Sequence, residues 1–119
     1  MTNTMTVAKL KQLIDDVNEL SCLKEGLWFQ LFALPASAGV TLREAYTGKV
    51  FSTNAYSAAK EMQKLVYEYY DNLDTDLVLA ALNSSDEQEE EILADLDALR
   101  KERHTAEIVF ECAGLTRCL

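Results

Sequence analysis

Apolar residues recur at helical spacing along three stretches of the chain. Between Thr6 and Leu23, the residues Val7, Leu10, Leu13, Ile14, Val17 and Leu20 fall on one face, while Lys9, Lys11, Asp15, Asp16 and Glu19 fall elsewhere. This is the pattern of an amphipathic helix. After Ser52 or Thr53, either of which can cap a helix, Ala55, Ala59, Met62, Val66, Tyr69 and Leu73 alternate steps of four and three. They form a narrow seam whose small early residues let a neighbouring helix approach closely; the predicted helix runs to about Tyr70. In the third stretch Ile92, Leu96, Leu99, Ala106, Phe110 and Ala113 hold a heptad-like register that Arg103 interrupts. Ser85 and Gln88 make a capping box before it, and Gly114 suits its end. A single helix over 86–113 would be about 42 Å long. Its weak point is HTAEIVFEC (104–112), whose Ile108–Val109 pair would also suit a strand; helix is preferred because no convincing partner strand exists.

Between these stretches the pattern is less regular. LWFQLFAL (27–34) is apolar all round and reads as central to the fold, with Pro35 closing it. Thr41 and Glu44 form a T-L-R-E capping box, predicting a short helix from Leu42 that Gly48 ends. Asp74 or Thr75 would cap another short helix over DLVLAAL (76–82), before a break at Asn83-Ser84-Ser85. Only four Gly and one Pro in 119 residues leave little material for the many turns of a β protein. The expectation is therefore an all-α fold: a single domain over 1–119, a compact bundle of about five or six helices. In it the long C-terminal helix packs against the helix at 53–70.

The first twenty residues carry acids and a helical period where a signal peptide would have a continuous apolar core. No apolar run approaches the length of a membrane span. Cys22, Cys112 and Cys118 make an odd set without CxxC spacing, which reads as free thiols in a reducing compartment. The expected location is cytoplasmic, with no membrane partner.

Charge changes the picture more. The formal net charge is −9, and all the excess lies in one window: residues 65–99 hold eleven acids and no Lys or Arg, whereas 1–64 and 100–119 each sum to +1. Local design explains part of this. On a helix starting at Asp86, six of the seven acids up to Asp97 lie opposite Ile92, Leu93, Leu96 and Leu99. Acids at its start and Arg100, Lys101 and Arg103 towards its end also complement the helix dipole, and Asp97 and Lys101 make an i,i+4 pair. A solvated face does not account for the lack of any cation over the whole window. Seven acids on twelve helical residues is about one charge per 2.6 Å, against about one per 1.7 Å for duplex DNA. With Glu68, Asp71, Asp74 and Asp76 close in sequence, Glu87, Glu90, Glu91, Asp95 and Asp97 could form one negative surface directed at a basic patch on a partner protein, including a nucleic-acid-binding one. Acidic nucleic-acid mimics, among them small inhibitors from phages and mobile elements, act in this manner. Tyr67 and Tyr70, one turn apart, are candidate partner contacts beside it.

Chemistry is sparse. His104 is the only histidine and has no partner at metal-ligand spacing. DNLDTD (71–76) has the alternating acids of a calcium loop but lacks its glycine and closing Glu. There is no Gly-rich phosphate loop, so no catalytic, metal or cofactor-binding residue is assigned and the protein is expected not to be an enzyme. Trp28 reads as core or as a binding hot spot. Residues 41–64 resemble a helix-turn-helix in outline, but their local charge is only +2, so direct nucleic-acid binding is not favoured. Three functions follow: an acidic protein-binding regulator or inhibitor acting through the 68–97 surface, a homo-oligomer built on the seams at 55–73 and 92–113, or a helix-turn-helix regulator.

Overall fold

The computed structural model describes residues 5–33 and 39–115. Thr6 opens the first helix, α1 (Val7–Asn18), its hydroxyl accepting the N–H of Lys9 at 3.1 Å. Leu10, Leu13, Ile14 and Val17 are buried on one face, as their spacing predicts. Asn18 ends α1 and reaches the next element. Its side-chain oxygen accepts the N–H of Phe29 at 3.1 Å, and its amide donates to the Phe29 carbonyl at 3.0 Å.

Here the all-α expectation fails. Phe29–Ala33 is strand β1, Gly39–Glu44 is β2 and Val50–Asn54 is β3, an antiparallel meander in the order β1-β2-β3. The fold is α+β, with three helices and one small sheet, and not a bundle of five or six helices. The short helix expected from Leu42 to Gly48 is the end of β2 and the following turn. With it the helix-turn-helix outline of 41–64 disappears. Val40, Leu42 and Glu44 point inwards with Phe29, while Thr41 and Arg43 alternate outwards, the period of a half-buried strand. Leu34, Pro35 and Cys118 lie outside the described residues.

Glu44 explains the turn. Its carboxylate is fully buried and accepts N–H groups from Trp28 at 2.8 Å, Tyr46 at 3.1 Å and Thr47 at 2.6 Å. The residue that reads as the second half of a helix cap instead ties the β2–β3 turn to the start of β1. Gly48, at φ 74°, takes the left-handed position this turn requires. Burial would push the Glu44 pKa up, but the three backbone donors outweigh it and hold the carboxyl below the usual range.

Asn54 caps α2 (Ala55–Leu82), accepting from Ser57 N–H at 2.8 Å. The helix does not stop near Tyr70. It runs through Asp74 and Thr75, so the separate helix expected over 76–82 is its last two turns. Thr75 caps nothing; its hydroxyl donates back to the Asp71 carbonyl at 3.0 Å. After the Asn83–Ser85 break, α3 (Asp86–Cys112) returns antiparallel and includes the ambiguous 105–112 stretch as helix. Ser85 occupies the cap position but its side chain makes no capping bond. At the far end Leu115 N–H bonds the Phe110 carbonyl and Gly114 N–H bonds Glu111, with Gly114 at φ 83° and Leu115 buried. This is the glycine-stopped helix end expected from the sequence.

The core lies between α1, the inner sheet face and the adjoining halves of α2 and α3, with Met62, Val66, Tyr70, Leu99, Ala106 and Phe110 buried where the helices meet. The two apolar seams pack on each other within the chain. No described helix is long and apolar enough to cross a membrane.

Candidate functional site

The α2–α3 hairpin divides at Tyr70. Every buried residue of α2 lies between Ala55 and Tyr70, and every buried residue of α3 between Leu96 and Phe110. No residue from 71 to 95 is buried. The hairpin therefore extends past the body as a two-helix arm, in a molecule of 58 × 30 × 22 Å. Its radius of gyration, 16.2 Å, exceeds the ~13.5 Å of a compact chain of this length.

A polar neck joins arm to body. Tyr70, fully buried, donates its hydroxyl to Glu102 at 2.8 Å, and both oxygens of Glu102 receive the backbone N–H of Cys22 at 3.0 Å. One carboxylate thus binds α2, α3 and the 19–26 segment together. Burial, then the neighbouring carboxylate, pushes the Tyr70 hydroxyl pKa far up and the Cys22 thiol up to about 11. A thiol in that setting stays protonated and unreactive. Arg103 stacks over Tyr67 at 5.6 Å and pairs with Asp71 at 3.0 Å, and Arg100 pairs with Asp74 at 2.8 Å. Gly26 lies against the ring of Tyr69, leaving no room for a Cβ.

The acids expected to form a partner surface divide into two groups. Asp71, Asp74 and Asp97 are neutralised within the hairpin by Arg103, Arg100 and Lys101. Glu68, Asp76, Glu87, Glu90, Glu91 and Asp95 are exposed and, among the described residues, make no ion pair; Asp86 and Glu89 in the first turn of α3 make none either. The tyrosines belong elsewhere. Tyr67 is 6% exposed, its ring tilted against Phe110 at 5.9 Å between centroids, and Tyr70 is wholly enclosed, so both are packed inside the fold.

Sequence reasoning missed the apolar part of the arm. Leu79, Leu82 and Leu93 are 53%, 76% and 46% exposed. The signal was present: a further step of four past Leu73 leads to Leu77 and leaves Leu79 and Leu82 off the seam. Trp28, at 42% exposure, starts the outer sheet face and is not core; Phe32 and Val50 are exposed on the same face. His104 sits on the surface 3.7 Å from Glu107, and among the described residues no His, Cys, Asp and Glu group could hold a metal. No family model, curated protein or solved structure matches the chain.

Proposed function

We propose that this is a non-enzymatic binding protein, a regulator or inhibitor that engages a basic surface of a partner protein through the arm. One observation carries the reading: a two-helix projection with no buried residue from 71 to 95 carries Asp76, Asp86, Glu87, Glu89, Glu90, Glu91 and Asp95 without an ion pair among the described residues, and holds no Lys or Arg of its own. Eight of the eleven acids of the 65–99 window, all but Asp71, Asp74 and Asp97, keep their charge uncompensated among the described residues. Concentrating so much like charge on two antiparallel helices costs stability through self-repulsion, which a cationic partner relieves on binding. The acids are closely spaced along the first half of α3, residues 86–97, so a nucleic-acid-binding surface is the kind of basic patch that fits.

The test is affinity capture from the cells that make the protein, with the wild-type chain beside E87K/E90K/E91K/D95K/D97K. A partner should be retained at low salt, released as salt rises and absent from the variant. A partner held equally by the variant, or indifferent to salt, overturns the proposal.

A further inference from the structure

Two of the arm's exposed leucines, Leu82 and Leu93, lie on one side of it, the side marked by the ion pairs at its base. Placing residues at about 100° intervals, with the α2–α3 contact direction defined by Tyr70, Leu99 and Phe110, puts the Asp71–Arg103 and Asp74–Arg100 pairs on the same flank. Leu82 of α2 and Leu93 of α3 fall on that flank too, and Leu79, opposite Tyr70, borders it on the back of α2. Because Asp74 lies opposite Arg100, Leu82 comes level with Ile92 and Leu93, so the three most exposed leucines share about one turn of the arm's tip. Asp86 and Glu90, neither in an ion pair among the described residues, run beside Leu93 as an acidic ridge, with Asp97, paired to Lys101, at its body end. The other flank differs: it carries Asp76, Glu87, Glu91 and Asp95, and nearer the body the 19–26 segment covers it through Cys22 and Gly26.

We infer that the leucine flank is a groove for one helix of a partner, an amphipathic helix with a leucine-type apolar stripe bordered by Lys or Arg. Docked there, it would turn the two-helix arm into a three-helix bundle. This rests on the proposed function above and specifies its partner. Apolar side chains exposed together on a helix pair mark a contact surface, and helix-in-groove recognition uses apolar anchors at i, i+3 and i+4 with charge at the margins. The acidic ridge determines the sign of those margins. A second copy of this chain has the same stripe but the same acids, so two arms laid flank to flank would bring their uncompensated carboxylates together. A cationic helix meets the stripe and the ridge at once.

The experiment uses the whole chain and two 18-residue probe peptides of identical Leu/Lys composition. One is arranged as an amphipathic helix and the other is shuffled to have no apolar face. Calorimetry on the wild type should show the amphipathic peptide binding at least about tenfold tighter than the shuffled one. L79S/L82S/L93S should lose that preference while keeping salt-sensitive binding of both peptides, and its thermal unfolding should confirm that it is folded. D86K/E90K/D97K should weaken both peptides. Equal binding of the two peptides by the wild type overturns the groove and leaves the acidic-surface proposal standing. No binding of either peptide at low salt overturns both. Leucine-dependent dimerisation of the wild type in sedimentation equilibrium, with exclusion of the peptide, assigns the flank to a second copy and overturns the inference.

Discussion

The two halves of the α2–α3 hairpin belong to the same two continuous helices, yet they use their side chains in opposite ways. From Ala55 to Tyr70 each turn of α2 buries something, and α3 buries Leu96, Leu99, Ala106 and Phe110, against α1, the sheet or the facing helix. From 71 to 95 nothing is buried, and exposed leucines sit beside unpaired carboxylates. The body holds the helices by tertiary packing; the arm is held by continuity with the body, by Leu73, Leu77 and Val78, which pack against the core, and by ion pairs at the neck. Helical periodicity alone does not separate these cases, because it reports which face is apolar and not whether anything covers it.

Side-chain truncation on each side of Tyr70 should separate body from arm by the largest margin. Phe110→Ala removes a wholly buried ring and should cost about 3–5 kcal/mol, whereas Leu82→Ala at the tip should stay within about 0.5 kcal/mol. Urea unfolding measures both, and comparable losses would mean that the arm is packed as the body is. A smaller effect isolates the β2–β3 turn. Glu44→Gln should cost about 1.5–3 kcal/mol at neutral pH, the range for a hydrogen-bonded charged group. Since the folded Glu44 pKa lies below its ordinary value, its stabilisation is present above that value and is lost as pH falls through the folded one. The wild-type advantage over Glu44→Gln should therefore shrink on acidification, and a constant difference across that window would show that the shift plays no part. The smallest effect compares two helix starts. Asn54→Ala removes a formed cap and should cost about 1 kcal/mol, while Ser85→Ala at the arm tip should cost less than about 0.5 kcal/mol. Thermal unfolding distinguishes them, and equal shifts would mean that Ser85 caps in solution.

How far the sequence foretold this follows the same division. α1, the seam of α2 and the length of α3 were legible because their apolar spacing matches the faces that are buried. The sheet was not. β1 begins Phe-Gln-Leu-Phe with apolar residues on both faces, since Phe32 remains on the outer one, so it shows no alternation. β2 does alternate, but its third inward residue is Glu44, and a buried carboxylate three residues after Thr41 imitates a capping box. Only the fold supplies the backbone donors of Trp28, Tyr46 and Thr47 that make its burial affordable. Asp74 and Thr75 misled in the other direction: capping residues by type, they sit inside a helix because Leu73 and Leu77 keep the seam going on either side. Among the candidate site residues, the exposed acids were legible as charge. The burial of Tyr67 and Tyr70 was not, because seam and surface lie only one or two residues apart on that turn.

The arm also gives the molecule an electrical polarity. The 65–99 window carries eleven negative charges and the rest of the chain a slight positive excess, separated along a body 58 Å in its longest dimension. Such a particle is a dipole as well as a polyanion. A cationic partner approaching through low-salt solvent experiences a torque before it makes contact, and both molecules rotate until the arm leads. Orientation is then settled during approach, so raising ionic strength should slow association more than it hastens release.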